Sequence, residues 1–183
     1  DGLHVDVRSR GWVVTPRGSR AANRAKDGLD RDIDTVEELW PSHADTVKVH
    51  CLGPWSLATK MELANGHRVL SDRSATIDIS EALTAGLVAH AKDIARRFSS
   101  SRIVVQFDEP YLGSIRAGAV PGTSDFDTLR PVPVDELQRV LFPAYEAVRA
   151  AVDEQVAYVP VINQIGYAPQ WDVMPSEGAL IDL

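Results

Sequence analysis

From residue 47 onward, short runs of strand-forming residues alternate with helical stretches, and this alternation constrains the fold most. The segments "VKVHCL" (47–52) and "RIVVQFD" (102–108) are rich in Val, Ile and Phe. Gly53-Pro54 closes the first and Pro110 follows the second. Between them, Leu83, Leu87, Ala91, Ile94 and Phe98 recur at three- and four-residue spacing over 78–98, a helical stripe suited to packing on a sheet. Strand, helix and strand in that order predict right-handed βαβ units and a parallel sheet, an α/β fold.

The remaining segments fill in around this repeat. "LHVDV" and "GWVVTP" read as two short strands joined by a polar turn. The polar run near 17–32 reads as loop or exposed helix, and a short helix is expected from Thr35 to a stop at Pro41. Residues 56–64 are expected to be helical, with Leu57, Met61 and Ala64 on one face and Asn65-Gly66 as the stop. A Gly-rich loop is expected over 113–131. The next helix, 134–154, carries Leu137, Leu141, Tyr145 and Val148 inward and a kink at Pro143. "VAYVPVIN" and "ALIDL" read as further strands, with a turn or short helix at "APQWDVMP" between them.

Composition narrows the function classes. At 44% hydrophobic and 25% charged residues, the 183-residue chain can bury a core, which excludes disorder as the default. A net charge of −7 argues against a nucleic-acid partner, which demands a basic face. The single cysteine, Cys51, excludes an internal disulfide and any multi-cysteine metal site. No apolar run approaches the roughly 20 residues of a membrane span, and no secretory leader opens the chain, so a soluble, cytoplasmic protein is expected.

The chemistry-bearing stretch is "VVQFDEPYL" (104–112), where a strand runs into the adjacent acids Asp108 and Glu109. In an alternating strand, Val104, Gln106 and Asp108 share one face, and Ile103, Val105 and Phe107 the other. Asp108 is either a ligand-facing carboxylate at the strand end or the cap of a plain turn, while Glu109 points the other way as a loop or supporting residue. The second strand end is "LGPWS". Gly53 allows a close backbone turn, and a helix starting near Ser56 offers N–H groups to an anion or is simply capped by that serine. Trp55 stacks on a flat ligand or covers the rim of the sheet.

Two motifs in this order, "VKVHCLGPWSLA" (47–58) and "VVQFDEPYL", resemble those of the cobalamin-independent methionine synthase barrel and its shorter actinobacterial relatives. The resemblance covers about residues 45–183, with a weaker echo in the first strands. It implies a (β/α)8 TIM barrel, incomplete in this chain because the first and last barrel strands are missing. It implies that Asp108 lies at the barrel mouth and holds the amino group of a homocysteine-type substrate, with Glu109, Gly53, Trp55 and Ser56 around it. The implied reaction is methyl transfer to a thiol in methionine biosynthesis, with a methyl-folate donor and a zinc ion that activates the thiolate. Here the family's His and Cys ligand positions hold Gln164 and Gly166, and only Asp182 lies near the expected Glu ligand. His4, His43, His50, His67 and His90 lack ligand spacing, and His50 and Cys51 face opposite sides of one strand. The expected protein is therefore a methionine-synthase-like methyltransferase, or a non-zinc member that binds an amino acid, a folate-like ligand or a protein partner. Association with further copies, or with missing barrel segments, is expected in either case.

Overall fold

The computed structural model describes residues 3–40, 44–123, 127–151, 156–158 and 170–174. The calls at Gln164, Gly166, Asp182, His43 and the "ALIDL" strand lie outside these residues.

The chain opens as a hairpin of β1 (His4–Arg8) and β2 (Gly11–Thr15), paired antiparallel through Asp6↔Val13. Gly11 turns the corner at φ 134°, a conformation that residues with a Cβ rarely adopt. The polar stretch and the short helix expected after it are one helix, α1 (Arg20–Leu39), started by Ser19, whose hydroxyl accepts from Ala22 N–H. Only Ile33 of α1 is buried. A guanidinium binds the helix instead, since Arg97 pairs with Asp34 and Glu37, both at 2.6 Å. Of the two readings of the polar run, exposed helix is the one formed, and so little of α1 is apolar that no periodicity marks its first turns.

The centre of the molecule is β3 (Thr46–Leu52) beside β5 (Arg102–Asp108), parallel and in register from Thr46↔Arg102 to Leu52↔Asp108. β6 (Val156–Tyr158) pairs parallel on the other side of β5. One face of this sheet is apolar. Ile103, Val105 and Phe107 are fully buried there, each contributing about 1.5–3 kcal/mol through burial. The Phe107 ring meets Tyr145 edge-on at 5.4 Å.

Between β3 and β5 run α2 (Pro54–Lys60), the two-residue β4 (Met61–Glu62), a single 3-10 turn over 69–71 and α3 (Arg73–Arg97). α2 stops four residues earlier than its pattern predicts. Met61 and Glu62 pair instead with Trp12 and Val13, so tertiary strand pairing overrides a helical pattern. The Gly-rich loop after β5 contains a further helix, α4 (Leu112–Ala117), whose Leu112 and Ile115 are each 1% exposed. Gly118 ends α4 in the left-handed conformation at φ 67°. The last long helix, α5 (Val134–Ala151), carries Pro143 without interruption and buries Leu137, Leu141, Tyr145 and Val148, the four residues its stripe predicts.

These elements make an α/β structure of two three-stranded sheets, β1-β2-β4 and β3-β5-β6. Neither sheet is closed, so the expected barrel is not formed by the described residues. The first hairpin joins β4 rather than β3, which takes it out of the parallel sheet.

Candidate functional site

The parallel register brings two strand ends together. Gly53 N–H donates to the Asp108 carbonyl at 2.7 Å, so the β3–α2 and β5–α4 turns sit side by side. The two acids after β5 then diverge, as strand alternation requires.

Glu109 goes inward and is 1% exposed. Its Oε1 accepts from Trp55 N–H at 2.9 Å, and its Oε2 accepts from Ser56 N–H at 2.8 Å and the Ser56 hydroxyl at 2.6 Å. Ser56 Oγ in turn accepts from Tyr111 N–H at 3.2 Å. The anion awaited at the start of α2 is thus internal: Glu109 occupies the N–H groups that a ligand carboxylate would need. Ser56 does not cap α2; Gly53 is the cap and Pro54 the first helical residue. Trp55 is 2% exposed, and its indole N–H donates to the Leu137 carbonyl at 3.1 Å, locking α2 to α5.

Burial pushes the Glu109 carboxyl up to about 7. The hydrogen bonds from Ser56 and Trp55 pull against that rise, and the neighbouring Asp108 charge adds to it. Burial, aided by Glu109 and Asp108, also pushes the Cys51 thiol up to about 12. The Tyr145 hydroxyl rises for the same two reasons, burial and Glu109.

Asp108 faces the other side of the sheet, with its side chain 24% exposed. Its Oδ2 meets His50 Nδ1 at 2.8 Å, and its Oδ1 accepts from Gln106 Nε2 at 2.5 Å. Gln106 Oε1 accepts from Lys48 Nζ at 3.1 Å. Lys48, Gln106, Asp108 and His50 therefore form one hydrogen-bonded row across β3 and β5. Because a carboxylate only accepts, Nδ1 is the His50 nitrogen that donates to Asp108. Ligand spacing alone gives His50 no role. The signal that finds it is the parallel register, which sets Leu52 opposite Asp108 and so places His50 one side-chain step from it.

Among the described residues, no group of three His, Cys, Asp or Glu side chains converges as a metal site. His50 and Cys51 are neighbours on β3 and face opposite sides of it. No described helix is long and apolar enough to cross a membrane.

A cleft of about 790 Å³ opens elsewhere, between the first turns of α3, the 127–132 segment and α5. Arg73 and Glu136 pair across it at 3.4 Å, and of the strand-end residues only Trp55 reaches it. Comparisons with family models, curated proteins and solved structures give no match to the chain.

Proposed function

We propose that this chain is a methionine-synthase-like protein that binds a small amino acid at the ends of β3 and β5, with Asp108 holding the ligand ammonium. The observation that carries this reading is the position of Asp108. It ends the middle strand of a parallel sheet, where α/β proteins bind ligands, and it stays partly open to solvent. A carboxylate offers about four lone-pair directions, and the row uses two of them. Capacity for an ammonium remains. In this reading β3, β5 and β6 are an arc of the barrel that the resemblance implies.

The activity attached to that resemblance is methyl transfer to a homocysteine-type thiol. A second reading, amino-acid binding without catalysis, is favoured by Gln164 and Gly166 at the positions where the family carries zinc ligands. In both readings the protein side of the site is the same: Gln106 and His50 fix the carboxylate, and Asp108 fixes the ammonium.

Melting curves and calorimetry with methionine and with homocysteine test the proposal on the native chain and on Asp108→Asn. The native protein is expected to be stabilised by at least one of these amino acids. Loss of one charge-assisted hydrogen bond is expected to weaken binding about 10- to 150-fold in Asp108→Asn. No binding by the native protein, or equal binding by the variant, overturns the assignment. A methyl-transfer assay on the same samples separates the two readings.

A further inference from the structure

We propose that the cleft between α3, the 127–132 segment and α5 binds a neutral, largely apolar small molecule whose one polar group is a hydrogen-bond acceptor directed at Ser80. The inference is independent of the amino-acid reading, because Asp108 does not line the cleft.

The cleft is built from three fixed walls. Arg73, Ile77 and Ser80 follow one another at three- and four-residue spacing on α3, as Glu136, Val140 and Pro143 do on α5. The third wall is pinned by Leu129 N–H, which donates to the Val120 carbonyl at 2.9 Å, and by Val132 N–H, which donates to the Ile115 carbonyl at 3.2 Å. The volume of about 790 Å³ lies within the range of about 300–1,000 Å³ that takes drug-sized ligands.

The lining then chooses the ligand. The four buried lining residues are Trp55, Thr76, Ser80 and Val140, none of them charged. Trp55 spends its indole N–H on the Leu137 carbonyl, and the Thr76 hydroxyl donates to the Asp72 carbonyl at 2.9 Å. Ser80 differs. It is 6% exposed, and among the described residues no hydrogen bond reaches its Oγ. A buried O–H without a partner is costly, and only an acceptor can meet its proton. Charge is kept to the rim and is balanced there, with Arg73, Arg130 and Arg139 set against Glu81, Asp127 and Glu136. Arg73 and Glu136 already pair at 3.4 Å. An ion taken into the interior would give up its water and meet no opposite charge, whereas burial of an uncharged apolar body is favourable.

Equilibrium dialysis with 2-acetylnaphthalene, 2-ethylnaphthalene and 2-naphthoate tests this, because one ring shape then carries an uncharged acceptor, no acceptor or a charge. The proteins are the native chain, Ser80→Ala, Ile77→Asp and Asp108→Asn, and urea unfolding checks that each variant folds. Ser80→Ala removes a hydroxyl without a described partner and is expected to be no less stable than the native chain. Both uncharged probes are expected to bind the native chain, and 2-naphthoate to bind about 10-fold or more weakly than 2-acetylnaphthalene. Ser80→Ala is expected to weaken 2-acetylnaphthalene by about 2- to 12-fold and to leave 2-ethylnaphthalene unchanged. Ile77→Asp puts a carboxylate into the α3 wall and is expected to weaken both uncharged probes by about 10-fold or more. Asp108→Asn is expected to change none of the three. Naphthoate binding as tight as that of the ketone, or no binding by either uncharged probe, overturns the proposal on the native chain alone. So does ketone binding that ignores Ser80→Ala, or binding that is lost in Asp108→Asn and kept in Ile77→Asp.

Discussion

A Cβ built on Gly53 would lie 2.4 Å from Glu109 Oε1, with the carboxyl carbon at 2.5 Å and Cγ at 2.6 Å. The glycine is required for space and not for its backbone angle, since its φ of −69° is open to any residue. Glu109 cannot swing aside cheaply, because its oxygens are held by Trp55 and Ser56.

Gly53→Ala is therefore expected to destabilise the fold by about 1–3 kcal/mol, the usual range for overpacking a filled interior. Urea unfolding measures it. Pairing the change with Glu109→Ala relieves the clash, so the double variant is expected to lose less than the two single losses combined. Additive losses would mean that the contact is not the cause.

Glu109 also makes stability depend on pH. Its folded value of about 7 stands above the ordinary 4.5, with burial as the leading cause. A raised folded value means that the native state binds the proton more tightly than the unfolded chain. Its stabilising contribution is then complete below about 4.5 and is lost as pH rises through about 7. The difference amounts to about 3 kcal/mol at most. Denaturation at intervals from pH 4.5 to 8 is expected to show native stability falling relative to Glu109→Gln, which lacks this titration. A constant difference between the two proteins across that range would contradict it.

Much of this neighbourhood was legible in the sequence, for reasons that also explain the rest. The strands ending at Leu52 and Asp108, and the divergence of Asp108 from Glu109, follow from period-two alternation and from the proline that stops β5. The inward stripe of α5 follows from 3.6-residue periodicity. The destination of Glu109 was not legible, because its partners Trp55 and Ser56 lie more than fifty positions away and meet it only through strand register. His50 was missed for the same reason. The end of α2 was misplaced because Met61 satisfies a helical stripe and a strand equally well, and only its pairing with Trp12 decides. The incomplete (β/α)8 barrel is an expectation carried by motif resemblance alone, and no local pattern decides how the strands assemble into sheets.

Ser56 gives the sharpest separation between a buried brace and a ligand site. It is fully buried, donates its hydroxyl to Glu109 and accepts Tyr111 N–H with the same oxygen. Removing that oxygen in Ser56→Ala leaves the part-buried Tyr111 N–H and one direction of the buried Glu109 carboxylate without partners, which costs about 1–3 kcal/mol. The same change moves Glu109. The hydroxyl is the strongest influence holding the carboxyl down against burial, so its loss is expected to raise the Glu109 value above about 7. The pH-dependent fall in stability then shifts to higher pH in Ser56→Ala. Equilibrium unfolding at several pH values reads both effects from one set of curves. A serine that served instead to bind an anionic ligand at the start of α2 would behave differently. Its loss would weaken ligand binding while leaving both the unliganded stability and the pH midpoint where they were.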